Sequence, residues 1–323
     1  MDDKSLMRAG LLVNPRSGQS SGKGLALADK LRNSSSVSVK VLERFDQLPH
    51  FIADMAKDGV TDLFISSGDG TVQAIQTELA EKRPFAKLPR LSLLPHGTTN
   101  MTAADLGFRH RSIDAQARFI STLDPEDLQA RPTLRAVNPK DGNPRHGMFL
   151  GTGAVSEATL FCQRAFNAKG VKGSWATFST LAGAVGRSLF TPANPADTTR
   201  FDRPFSIGIE ADGRLISQGQ QLLMLATTLE KLILGTKPFW GGTGGAIRTT
   251  VIPYPVPSIP RWLIPIMYGS ETRKGPPGSA SVAASALSIS SPVSYVIDGE
   301  FFDAPEGEPL RVETGPVFTY VRG

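Results

Sequence analysis

The chain has 323 residues, 40% of them hydrophobic and 20% charged, with a net charge of +5. That length suits about two domains, and that composition can bury a sizeable core, which excludes a disordered chain. A single cysteine, Cys162, excludes an intramolecular disulfide framework and a cysteine-rich zinc site. The 32 glycines and 24 prolines predict many turns but follow no collagen period. The longest apolar stretches, Leu222–Ala226 and Trp262–Met267, are too short to span a bilayer. Asp2 and Asp3 do not suit a secretory signal, so the expectation is a cytoplasmic protein, soluble or peripheral to the inner face of a membrane.

The first part of the chain alternates strand and helix. Met7–Val13 reads as a buried strand, Gly22–Leu31 as a helix and Val37–Leu42 as a strand. Asp46 starts a helix that runs to Lys57 with Pro49 in its first turn. Leu63–Ser66 is an apolar strand, and Thr71–Lys82 a helix with Val72, Ile75 and Leu79 on one face. Leu91–Leu94 is a strand, and a short helix covers Thr99–Leu106. Such alternation predicts parallel strands with crossover helices, here an α/β domain over residues 1–127.

From residue 128 the pattern becomes β-rich. Strands are predicted at Leu128–Val137, Gly147–Leu150, Pro204–Glu210, Arg214–Thr227, Ser285–Ser290, Val293–Ile297, Leu310–Glu313 and Val317–Val321. Ala211-Asp212-Gly213-Arg214 reads as a hairpin turn. Helical segments interrupt at Val155–Lys169 and Ser174–Leu189, Cys162 falling in the apolar core of the first. Residues 236–278 are rich in Gly and Pro and read as long loops. The expectation is a β-sandwich domain over 128–323, whose last strands return toward the first domain.

Charge is unevenly placed: residues 1–130 sum to zero, 131–297 to +9 and 298–323 to −4. Trp175, Trp240 and Trp262 all lie in the basic stretch. Cations interleaved with aromatic rings suit the surface of an anionic membrane. No basic run, zinc-finger spacing or RNP-like motif points to nucleic acid.

Ligands of parallel sheets bind at the carboxyl ends of the strands. Three such ends carry polar glycine loops: Asn14-Pro15-Arg16-Ser17-Gly18, Ser67-Gly68-Asp69-Gly70-Thr71 and Pro95-His96-Gly97-Thr98-Thr99-Asn100. A glycine turn between strand and helix lets backbone N–H groups approach a phosphate, with the helix dipole assisting. Ser17, Thr71 and Thr98 add hydroxyl donors. Asp69 is either a turn aspartate, or a carboxylate that holds Mg²⁺ bridging phosphates or orients an attacking hydroxyl. His96 either donates to a phosphate or packs locally.

These three loops, with Asp298-Gly299-Glu300 near the C-terminus, resemble the diacylglycerol kinase catalytic-domain family, which includes bacterial soluble lipid kinases and sphingosine and ceramide kinases. The resemblance implies an α/β nucleotide-binding domain, a β-sandwich domain and an active site in the cleft between them. ATP phosphates would meet Asn14, Pro15, Arg16, Ser17 and Gly18, the Ser67–Thr71 loop, and Gly97, Thr98 and Asn100. Mg²⁺ would arrive with the nucleotide near Asp69. Glu300, with Asp298 beside it, would accept the proton of a lipid hydroxyl from diacylglycerol, ceramide or a sphingoid base. Gly151-Thr152-Gly153-Ala154 would line the lipid cleft.

The chain departs from the family pattern in places. Gln73-Ala74 stands where many relatives have Asn-Glu, and Asn100-Met101 where many have Asn-Asp. Residues 252–257 lack the acids that organise a structural Mg²⁺ in bacterial diacylglycerol kinases, so that metal is expected to be absent or differently bound. Ser67 stands where many members have Gly, and a Ser there also occurs in sphingosine kinases. Two other readings stay open: an inactive lipid-binding or regulatory protein of the same fold, and an NAD kinase-like phosphotransferase.

Overall fold

A computed structural model describes residues 8–17, 21–97, 100–123, 126–160, 203–290 and 294–322. Gly18, Thr98, Thr99, Cys162, Trp175 and the expected helix at 174–189 lie outside the described residues, as does the second half of the helix expected at 155–169. Residues 154–160 are helical.

Strands β1 (Ala9–Val13), β2 (Val37–Val41), β3 (Asp62–Ser67) and β4 (Arg90–Pro95) pair parallel in the order β2-β1-β3-β4. Every residue of β1 and β3 is buried, as expected where helices cover both faces of a parallel sheet. The crossovers are α1 (Ser21–Leu31), α2 (Leu48–Lys57) and α3 (Asp69–Lys82). At the amino-terminal ends of β3 and β4, Arg90 donates from Nε and Nη2 to the buried Asp62, at 2.7 and 2.8 Å. That bidentate pair holds the two strand starts together.

After β4 come α4 (Met101–Leu106) and α5 (Ile113–Thr122). The sequence gives no strong sign of α5, because its buried residues are only Gln116 and Ile120 and its apolar stripe is thin. Its start is fixed by Ser112, whose hydroxyl accepts the Ala115 N–H at 3.2 Å.

The second half is antiparallel. Its strands are β5 (Leu128–Ala136), β6 (Arg145–Gly147), β7 (Phe149–Gly153), β8 (Phe205–Ala211), β9 (Arg214–Thr227), β10 (Ile247–Pro253), β11 (Ala280–Ala284), β12 (Ala286–Ser290), β13 (Tyr295–Ile297), β14 (Glu300–Phe302) and β15 (Leu310–Val321). Side chains from β5, β7, β8, β9, β10, β12, β13 and β15 meet in one buried cluster that includes Leu150, Ile209, Met224, Val251 and Ile297. The expected loops at 236–278 instead contain β10 and the helix α6 (Ile259–Met267). Dense proline hides both in the sequence. Pro260 sits in the first turn of α6, where its missing N–H has no helical partner to lose, and Pro265 lies inside the helix.

All 15 strands join one hydrogen-bonded sheet through β15. The two strands expected at its ends are one, with a register shift between Thr314 and Val317. Its first part pairs with β12, its residues from Val312 onward pair with β5, and Tyr320 pairs parallel with Leu91 of β4. The core follows this continuity: Leu12, Ile65, Ile75 and Leu91 share a cluster with Met148, Leu225, Phe318 and Tyr320. No described helix is long and apolar enough to cross a membrane.

Because Phe318 is fully buried in that shared cluster, Phe318→Ala should cost about 3–5 kcal/mol. Urea unfolding followed by tryptophan fluorescence and far-UV circular dichroism should show one transition moved to a lower midpoint. Two separated transitions would show that the halves unfold independently.

Candidate active site

The carboxyl ends of β1, β3 and β4 bring the three glycine loops together. Asn14 ends β1: its N–H donates to the Ser66 carbonyl at 3.1 Å and its Nδ2 to the Thr71 hydroxyl at 2.9 Å. Asn14 Oδ1 accepts the Arg16 N–H at 3.0 Å, and the Ser17 hydroxyl donates to the Asn14 carbonyl at 2.8 Å. One side chain thus shapes the first loop and ties it to the second. Arg16 is exposed, and Pro15 and Ser17 are half-buried.

The second and third loops touch backbone to backbone. A side chain at Gly97 would overlap the Cα of Gly68, so the approach requires glycine there. The third loop closes on itself: Asn100 Oδ1 accepts the Gly97 N–H at 2.9 Å, and its Nδ2 donates to the Gly97 carbonyl at 2.6 Å. Ser67, from the end of β3, is buried and spends its hydroxyl on the Gly68 carbonyl at 2.9 Å.

Asp69, at the first turn of α3, accepts the N–H groups of Met101 and Thr102 at 2.9 and 3.0 Å. Its carboxylate therefore caps α4. Burial raises its pKa above the usual carboxylate range, while those two N–H groups oppose the rise. Each oxygen keeps a second lone pair, so the residue can still face a cation on its open side.

The second half contributes the hairpin β13–β14. Its two-residue turn, Asp298-Gly299, has φ values of 47° and 90°, the primed geometry that Asp-Gly favours. Asp298 is buried, and its carboxylate accepts the Met148 and Phe149 N–H groups at 2.9 and 3.0 Å. Burial lifts its pKa well above the usual range, and the negative charge of Asp69 adds to the lift. The turn is thus pinned to β7, and Glu300 follows directly. Its Oε1 lies over Gly70 so closely that a Cβ at residue 70 would overlap it. Glu300 is exposed and has no hydrogen-bond partner among the described residues.

One residue near the site carries no mark in the sequence motifs. Lys23, exposed in the first turn of α1, stands close enough to His96 for its charge to oppose protonation there. A lysine a few residues past the Asn14–Gly18 loop was the available signal. His96 itself is buried, with Nδ1 at 2.8 Å from the Ser66 hydroxyl, so it braces the floor of the site. The structure brings Asn14, Ser17, Gly68, Asp69, Gly70, Thr71, Gly97, Asn100, Asp298 and Glu300 to this one region.

The family model of the diacylglycerol kinase catalytic domain matches residues 8–129, the stretch that carries all three glycine loops. A sequence comparison with curated proteins finds no match. Among solved structures, the chain is similar to a Bacillus anthracis str. Sterne diacylglycerol kinase with a TM-score of 0.60 and 16% identity, covering 98% of this chain and 97% of that one. A further Bacillus anthracis str. Sterne protein, proposed to be a diacylglycerol kinase, gives a TM-score of 0.64 and 17% identity over 98% and 97% of the chains. The yeast NADH kinase complexed with NADH gives 0.50 and 10% over 98% and 84%. These likenesses show the fold: a parallel α/β domain followed by an antiparallel β-rich domain. The family is one of kinases, whose phosphoryl donor is a nucleotide.

Burial, and then the charge of Lys23, lower the pKa of His96 to about 4. The unfolded chain therefore takes up this proton first as acid is added. The stability that His96 contributes is complete above about 6.5 and is lost as pH falls toward 4. An NMR titration of the imidazole should find its midpoint near 4, and His96→Gln should remove that part of the acid slope in urea midpoints. A midpoint near 6.5 would contradict the buried, neutral ring.

Proposed function

We propose that this chain is an ATP-dependent lipid kinase, which transfers the γ-phosphate to the hydroxyl of a diacylglycerol, ceramide or sphingoid base. The observation that carries the reading is the seat of Glu300: a carboxylate from the β-rich half, without a side-chain partner among the described residues, laid over Gly70 at the start of α3.

The residues suit phosphoryl transfer, which depends chiefly on positioning and charge stabilisation. The Gly68–Gly70 backbone offers N–H groups at the amino end of α3, where the helix dipole favours an anion. Lys23 adds a positive charge on the same side. Glu300 stands where an acceptor hydroxyl facing those loops would lose its proton. An alcohol is a very weak acid, so the carboxylate takes the proton as the new P–O bond forms. Asp298 acts through Glu300: by gripping the N–H groups of Met148 and Phe149 it fixes the turn that aims the carboxylate. Asp69 fixes α4 against the second loop and leaves lone pairs toward the phosphates.

No group of three or more His, Cys, Asp or Glu side chains among the described residues could hold a metal by itself. The donor set of Asp69 and Glu300 fits instead a Mg²⁺ that brings phosphate oxygens and water as its remaining ligands. Bound there, that ion would neutralise charge on the transferring phosphoryl group.

The test is transfer of labelled γ-phosphate from ATP to diacylglycerol, ceramide, sphingosine, monoacylglycerol and NAD, presented separately. One labelled lipid is expected. Glu300→Gln should lower kcat by about 10²- to 10⁴-fold. Gly70→Ala should do likewise by displacing the carboxylate. Label in NAD alone would replace the lipid reading. Nucleotide binding with no transfer to any acceptor would support an inactive member of the fold.

A further inference from the structure

Helix α6 and the 3₁₀ turn Ile233–Gly235 form an apolar ridge that nothing among the described residues covers. None of the nine residues of α6, IPRWLIPIM, is buried. Ile259, Trp262 and Ile266 pack on Leu222, Ile252 and Val256, which accounts for one face. Apart from Arg261 the rest of the helix is also apolar and none of it is buried: Ile264 is 62% exposed, and Tyr268, just past the helix end, 40%. A helix that is apolar all round belongs in a core or a membrane, and this one lies on the surface.

The 3₁₀ turn continues the same ridge. The Lys237 N–H donates to the Met267 carbonyl at 2.8 Å, and the Gly269 N–H to the Lys237 carbonyl at 2.9 Å. The carboxyl end of α6 is thereby stitched to the segment that leaves the turn. At its tip Ile233 is 52% and Leu234 81% exposed. Leu234 also has a φ of 57°, a left-handed conformation in which a leucine is strained. A large apolar side chain held outward at a strained tip serves no packing purpose here, and such strain collects at functional sites.

Charge decides what covers this ridge. Lys231, Lys237, Arg261, Arg273 and Lys274 are exposed around it, against two exposed acids, Glu271 and Glu230, the latter already paired with Arg131. None of the five makes an ion pair with a carboxylate among the described residues. A second copy of this chain would set these cations against one another, whereas an anionic bilayer accepts both the cations and the apolar side chains. We infer that α6 and the Ile233–Gly235 turn dock this chain on an anionic lipid surface, Leu234 and Ile264 entering the headgroup boundary and the lysines and arginines meeting lipid phosphates.

The inference builds on the lipid-kinase reading, because docking here puts the apolar cluster under α6 against the lipid. From that cluster Leu223 of β9 pairs with Gly153 on β7, the strand whose Phe149 N–H is held by Asp298. The test itself needs no turnover. The full chain is sedimented with vesicles of mixed phosphatidylglycerol and phosphatidylcholine, and with vesicles of phosphatidylcholine alone, at low and high salt. Expected is pelleting with the anionic vesicles that weakens with salt. The Leu234→Glu and Ile264→Glu double variant should bind about tenfold or more weakly. Lys231→Glu or Lys237→Glu should each lose on the order of fivefold. Nucleotide affinity and melting temperature of these variants should match the parent. Absence of pelleting, or equal pelleting with both vesicle types, would overturn the proposal. So would a concentration-dependent dimer in light scattering that Leu234→Glu abolishes, which would assign the ridge to a second copy. Pelleting without phosphate transfer to any lipid would keep the docking surface and reject the lipid-kinase reading. Transfer to dispersed lipid without pelleting would do the reverse.

Discussion

The twelve-residue strand β15 is the constraint on which the rest of the molecule depends. It is antiparallel to β5 and β12 and parallel to β4, so it belongs to both halves of the sheet at once. Its Phe318 and Tyr320 complete a core begun by β1, β3 and α3. A cleft between two independently tumbling domains would hold its reacting groups loosely, and transfer chemistry is sensitive to displacements of about 1 Å. A strand shared by both halves removes much of that freedom.

Against this frame, the site is aligned by two carboxylates that do similar work from opposite sides. Asp69 caps α4 and locks the second loop to the third; Asp298 grips β7 and locks the hairpin that presents Glu300. Each is buried enough for its pKa to rise, and the two repel each other through the low-dielectric floor of the site. The backbone N–H groups offset part of that cost. Glu300, which the second of these carboxylates positions, is exposed.

Much of the parallel half was legible because its signals are local. Apolar runs such as Leu63–Ser66 and amphipathic ones such as Thr71–Lys82 lie within one or two residues of β3 and α3. The glycine loops were legible for the same reason, whereas the strand β14 that follows Asp298-Gly299 was not. What the sequence hid was long-range. Nothing local says that Asp298 spends both oxygens on Met148 and Phe149, or that Asn14 reaches Thr71. Helix α5 was missed because its stripe is thin, and α6 because its prolines read as loop, although both sit where a helix tolerates them or pays locally. The two segments expected as separate strands at 310–313 and 317–321 were split by Gly315-Pro316, which in the fold marks only a bulge.

The family match ends at residue 129, yet the fold does not. Cut there, the first half would lose the neighbour of β4 and leave that strand an open edge, with its N–H and C=O groups free to recruit another chain. The vacancies left by Phe318, Tyr320 and Met148 would put Leu91 and Ile75 in water. The segment that is most recognisable in sequence is therefore not a folding unit, and recombination of this chain with others at that boundary would be selected against on solubility before any question of activity arose.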